Sequence, residues 1–177
     1  MPVYTLDELL KEMEPQGRKD QALAIKCIDG LTQYAAELRQ RGGPEGQAKI
    51  PDLRKLVGYM ADYWALGTAP GGLDGADCQE KFDRRIEEAG AAATPWYPSP
   101  GQKSDVVLGL YRYATDLIPN LGSEAKDEII GCKALIREVE AFWDFGSPLL
   151  DQLCDDIDTE LQEQISRENK LEMGGIQ

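Results

Sequence analysis

The side chains best placed by number and spacing to do chemistry in this sequence are carboxylates. Acids recur at helical spacing in four pairs: Glu8/Glu12, Glu124/Asp127, Asp155/Asp158 and Glu160/Glu163. Residues three or four apart share one face of a helix. Two such pairs on facing helices hold Mg²⁺, because hard cations take oxygen ligands, and the chemistry they support is metal-assisted phosphoryl hydrolysis. The same spacing arises freely in any acidic helical chain, and Glu124/Asp127 is more simply the acidic first turn of a helix. The glycines between Gly67 and Gly75 contain no phosphate-binding loop and follow no strand. No catalytic residue, metal ligand or cofactor is assigned from these patterns.

The chain contains no histidine. That removes the Ser-His-Asp and Cys-His nucleophile arrangements and His-based acid–base or zinc chemistry. The cysteines, Cys27, Cys78, Cys132 and Cys154, are far apart and form no CxxC pair. Structural zinc sites usually present two close pairs, so these are read as buried, reduced thiols.

Charge is the most informative feature. The formal net charge is −13, but residues 1–60 carry nine acids and nine bases, whereas residues 61–177 carry 23 acids and ten bases. The excess peaks between Asp151 and Glu172, where eight acids meet two bases. Asp151, Asp155 and Asp158 fall on one helical face, and Glu160 and Glu163 continue beside it. A basic patch of Arg39, Arg41, Lys49, Arg54 and Lys55 lies earlier in the chain. Three readings compete: a solvated surface that maintains solubility, a partner interface steered by charge, and a row of carboxylates imitating a phosphate backbone. Direct nucleic-acid binding is disfavoured, because the net field repels phosphates. The run Pro95-Trp96-Tyr97-Pro98 is either an aromatic loop folded onto the core or an exposed anchor, since Trp and Tyr dominate binding hot spots.

These residues must be positioned by helices. Thr5 with Glu8 fits a capping box opening a short helix to about Glu14. A long helix is expected over Arg18–Arg41, with Ala24, Ile28, Leu31, Ala35 and Leu38 as a heptad seam and Gly42-Gly43-Pro44 as its stop. A third helix is expected from about Pro51, with Leu53, Leu56, Val57, Met60 and Trp64 inward and Gly67 as its left-handed cap. A charged surface helix follows over Ala76–Ala89, then a proline-rich loop near 93–104. A fifth helix, Asp105–Ile118, is expected to end at Pro119. A sixth, capped by Ser123, carries the seam Ile129, Cys132, Ile136, Val139 and Trp143 up to Gly146. The seventh opens at Ser147-Pro148, lined by Leu150, Cys154, Ile157, Leu161 and Ile165. Interior glycines Gly30, Gly58, Gly109 and Gly131 are read as close helix contacts. No strand pattern competes.

The expected architecture is all-α: a single-domain bundle of about six to seven helices over residues 1–169, with a flexible tail at 170–177. The first residues are too charged for a signal peptide and no apolar run approaches the roughly 20 residues of a bilayer span. A cytoplasmic protein is expected, or one of the host cytoplasm if viral. The expected function is that of a non-enzymatic helical interaction protein, an adaptor or small structural subunit of a larger assembly. It would contact protein partners with a basic surface or further copies of itself, and nucleic acid only through a complex. An acidic nucleic-acid mimic, as in phage counter-defence, and a carboxylate–Mg²⁺ phosphohydrolase are the alternatives.

Overall fold

The computed structural model describes residues 18–68, 72–144 and 148–174. The chain is all-α, and no strand occurs among the described residues. Six α-helical segments are present: α1 (Arg18–Arg41), α2 (Gly43–Tyr63), α3 (Gly75–Ala91), α4 (Gln102–Leu121), α5 (Lys126–Phe142) and α6 (Pro148–Gly174). A 3₁₀ turn, Gly122–Ala125, joins α4 to α5 without a break, so the expected six to seven helices resolve into five uninterrupted runs. The expected helix at Thr5–Glu14, and the expected stop and start at Gly146 and Ser147, lie outside the described residues. The chain divides into two compact units, residues 1–106 and 107–177.

In the first unit α1, α2 and α3 pack on one another. The seam residues of α1, Ala24, Ile28, Leu31, Ala35 and Leu38, are all buried, and each large apolar side chain so buried contributes about 1.5–3 kcal/mol. Gly42 is the only residue between α1 and α2. Its N–H donates to the Leu38 carbonyl at 2.8 Å, which closes the first helix. Pro44 in the first turn then starts the next, since its missing N–H is not needed there. So α2 begins at Gly43 and Pro51 sits inside it, eight residues later than the observed start. The cap of α2 also differs from expectation. The left-handed residue is Ala65, at φ 49°, rather than Gly67, and Gln21 Nε2 donates to the Trp64 and Ala65 carbonyls at 3.2 and 3.4 Å. Asp74 caps α3 through the Asp77 N–H at 2.8 Å. Cys78, Phe82 and Ala89 are buried while the charged residues between them are mostly exposed, so α3 lies on the surface and packs by one stripe.

The interior glycines divide by environment. A Cβ on Gly30 would meet Val106 Cγ2 at 2.3 Å, a close contact of α1 with the start of α4, whereas a Cβ on Gly131 would meet nothing within 4 Å.

In the second unit the seam of α5, Ile129, Cys132, Ile136, Val139 and Trp143, is buried together with Leu150, Leu153, Cys154, Ile157 and Leu161 of α6. Tyr113 Oη donates to Glu128 Oε1 at 2.6 Å, tying α4 to α5. Pro119 does not stop α4, which runs to Leu121; the proline is exposed near the helix end, where losing one hydrogen bond is tolerated. Ser123 makes no N-cap for α5. Instead Glu168, from α6, accepts from the Ser123 N–H at 3.3 Å. Helix α6 continues to Gly174, past Lys170 where a loose tail is expected.

Candidate functional site

The proline-rich segment between α3 and α4 is extended and has no strand to pair with. Its backbone carbonyls therefore need side-chain donors. They find them on one face of α1. Gln33, Glu37, Gln40 and Arg41 follow the spacing 4, 3, 1 along that face. Gln40 Nε2 donates to the Ala89 carbonyl at 3.1 Å and the Thr94 carbonyl at 3.3 Å, while its Oε1 accepts from the Trp96 N–H at 2.8 Å. Arg41 Nη1 donates to the Trp96 carbonyl at 2.8 Å, and Gln33 Nε2 to the Tyr97 carbonyl at 3.3 Å.

Beneath this lattice Glu37 is fully buried. Arg41 Nη2 donates to its Oε1, and Gln33 Nε2 to its Oε2 at 3.0 Å. A buried carboxylate is stable only when paired and hydrogen-bonded, so the pair fixes the Arg41 side chain. The fixed guanidinium lies 5.1 Å from the Tyr97 ring centroid, and Arg85 lies 4.2 Å from the Trp96 ring centroid. Both are cation–π distances. Trp96 is half-buried, but Tyr97 is 69% exposed.

Beside Tyr97 an open cleft of about 410 Å³ is lined by Arg39, Gln40, Arg41, Gly90 and Pro95 among others. The Arg39 guanidinium lies over Gly90, where a Cβ would come within 3.2 Å of it. Arg39 makes no ion pair or hydrogen bond among the described residues. The cleft thus offers one available cation, a braced aromatic ring and a floor of small residues. That suits a carboxylate carried next to an apolar group.

Of the expected basic patch, only Arg39 and Arg41 line this cleft. Arg54 is bound to Asp83 at 2.9 Å, Lys49 is half-buried on α2, and Lys55 is exposed. The acidic face is also partly neutralised. Asp151 pairs with Arg137 at 2.7 Å and Asp158 with Lys133 at 2.7 Å, two cations four residues apart on α5 that meet α6 running antiparallel. The Asp151 contact holds the Arg137 pKa above its ordinary value. Asp155, between them, is exposed. Glu163 contacts Arg167 at 3.8 Å. Loss of solvent, with Asp156 and Glu163 close by, raises the Glu160 carboxyl above the usual range.

Among the described residues no group of three or more His, Cys, Asp or Glu side chains could hold a metal ion. Glu8/Glu12 lies outside the described residues. The cysteines are buried and form no disulfide among the described residues. Burial pushes the Cys78 thiol up to about 11 and that of Cys132 up to about 12, so both are protonated and weakly nucleophilic at neutral pH. No helix among the described residues is long and apolar enough to cross a membrane.

Comparison with protein-family models, with curated proteins and with solved structures gives no match to this chain, so the reading of the site rests on its geometry.

Sequence reasoning singled out Trp96, Tyr97 and Arg41 without their connection, and it missed Gln33, Glu37, Gln40 and Arg85. One signal was present: Glu37 is the single charge in the apolar run Tyr34–Leu38. A lone acid in a buried stripe implies a partner four residues away.

Proposed function

We propose that this chain is a non-enzymatic helical interaction protein, an adaptor or small structural subunit of a larger assembly, acting in the cytoplasm and docking through the 92–101 loop. The observation that carries this reading is Tyr97: its ring is mostly exposed although its backbone carbonyl is held by Gln33 and its ring covered on one side by Arg41. An aromatic side chain fixed in this way binds without losing much conformational entropy, which favours its use as an anchor. The unpaired Arg39 beside it supplies orientation and charge specificity.

Mimicry of a phosphate backbone is the weaker reading, because Lys133 and Arg137 neutralise two of the three carboxylates that would form the row. The test is affinity capture with quantitative mass spectrometry, comparing the native chain with Tyr97→Ala and Arg39→Glu. Partners enriched by the native chain should fall at least about tenfold with either variant, the scale of losing a hot-spot contact. An unchanged partner set would refute docking through this loop.

A further inference from the structure

Two surface groups of opposite character are left open, one in each unit. In the first unit Tyr97 is 69% exposed next to the unpaired Arg39. In the second Leu171 is 77% exposed next to Glu172, which makes no ion pair or hydrogen bond among the described residues. Leu171 and Glu172 stand in the final turns of α6, and the last turn of that helix carries no basic residue. The carbonyl end of a helix bears a partial negative charge that favours a nearby cation; the nearest cations of the helix, Arg167 and Lys170, precede its last turn.

Resting on the docking role of the 92–101 loop, we propose that the occupant of the Arg39 cleft is the end of α6 from a second copy of this chain. Glu172 meets the Arg39 guanidinium and Leu171 lies against the Tyr97 ring. The match is one of charge and polarity. Arg39 needs an anion, Tyr97 offers an apolar face, and α6 presents a carboxylate, an apolar side chain and a negative helix end together. Residues 1–106 carry 17 acids and 13 bases, and residues 107–177 carry 15 acids and six bases, so the contact joins the less acidic part of one copy to the more acidic part of the next. The overall negative charge of both copies opposes encounter, but it is screened beyond about 8 Å at physiological ionic strength, which leaves the local pair to decide.

The contact joins two different surfaces, so a pair held by one contact keeps one free cleft and one free helix end. Such contacts build rings or open chains, according to whether successive copies close on one another. The contacting surface is small, so association is weak and reversible.

Sedimentation equilibrium over a concentration series tests this with the full chain. The weight-average mass of the native protein should rise with concentration above that of the monomer. Arg39→Glu alone and Glu172→Arg alone should each raise the apparent dissociation constant about tenfold or more. Their mixture should associate again, because it restores both contacts with alternating polarity. Both sites are exposed, so unchanged circular dichroism is expected; should Arg39→Glu fail to fold, Glu172→Arg carries the test alone. A native chain that stays monomeric, or association indifferent to these substitutions, overturns the proposal. Either result leaves the docking loop itself to the capture experiment with Tyr97→Ala, which fails or succeeds on other partners.

Discussion

Glu37 and Arg41, one helical turn apart in α1, form an ion pair whose acid is wholly buried and whose base reaches out to the Trp96 carbonyl and the Tyr97 ring. The pair connects the core of the first unit to its exposed loop. The two members are unequal: the Arg41 side chain is 34% exposed, that of Glu37 not at all.

That inequality sets the order of two substitutions. Arg41→Met removes the cation from a buried carboxylate and should cost about 3 kcal/mol. Glu37→Gln leaves a cation that water partly reaches, so the cost should be about 1–2 kcal/mol after allowing for solvent screening. Urea unfolding monitored by circular dichroism gives both values. Equal costs would contradict the placement of the acid inside.

Two glycines should respond to alanine in opposite directions. At Gly131 the new methyl meets nothing, so Gly131→Ala should stabilise by about 0.5–1 kcal/mol through helix propensity. At Gly30 it collides with Val106, whose branched side chain has little rotamer freedom; Gly30→Ala should destabilise by about 1–3 kcal/mol despite the same propensity gain. Thermal denaturation of the two variants side by side decides the matter.

Two carboxyls on α6 predict opposite pH behaviour. Hydrogen bonds from the side chain and backbone of Ser123 hold the Glu168 carboxyl below its ordinary value. Its contribution is present above the unfolded-state pKa and is lost as pH falls through the lower folded value, so Glu168→Gln should flatten the acid limb of the stability–pH curve. Glu160 is shifted upward, so the folded state holds its proton more tightly than the unfolded chain. Its ionised form therefore weakens the fold at neutral pH, and that penalty fades as pH falls through the raised value. Glu160→Gln should stabilise at pH 7 by a few tenths of a kcal/mol, the scale of an exposed, screened group, with the gain vanishing on acidification. Unfolding free energies from pH 3 to 7 check both signs.

Much of the fold is legible in the sequence because helical burial is periodic. Both heptad seams, in α1 and α5, are buried as their spacing requires, and the end of α1 follows from Gly42. The prolines are where local rules fail. Pro51 and Pro119 both lie inside helices on exposed faces, where a freed carbonyl can turn to water and the neighbouring turns carry the strain. The cap of α2 was misplaced for a related reason: Ala65 takes the left-handed conformation that Gly67 is better suited to, and Gln21, 43 residues from Trp64, supports it. The loop site was half legible. Its aromatics stand out in the sequence, but the donors that hold them come from α1, more than 50 residues earlier, and no local pattern announces that pairing. The acidic face shows the reverse: Asp151, Asp155 and Asp158 form a clear row in sequence, and only the packing of α5 against α6 reveals that Arg137 and Lys133 neutralise its two ends.

The turn after α2 offers a direct check on that explanation. Ala65→Gly removes the Cβ penalty of a left-handed residue, about 1 kcal/mol, while leaving the Gln21 contacts to the backbone intact. The variant should be more stable by up to that amount in urea unfolding. A loss of stability would mean that the left-handed assignment is wrong.

The central claim is that partners dock on the braced loop at Tyr97. Site-specific photo-crosslinking tests it most directly, with a photoreactive phenylalanine placed at position 97 and, as a comparison, at Ile130, which is 47% exposed in the other unit. The account predicts discrete adducts at position 97 that disappear when Arg39→Glu is added, and none of comparable yield at position 130. Equal labelling at the two positions, or adducts at 97 that persist with Arg39→Glu, would contradict it.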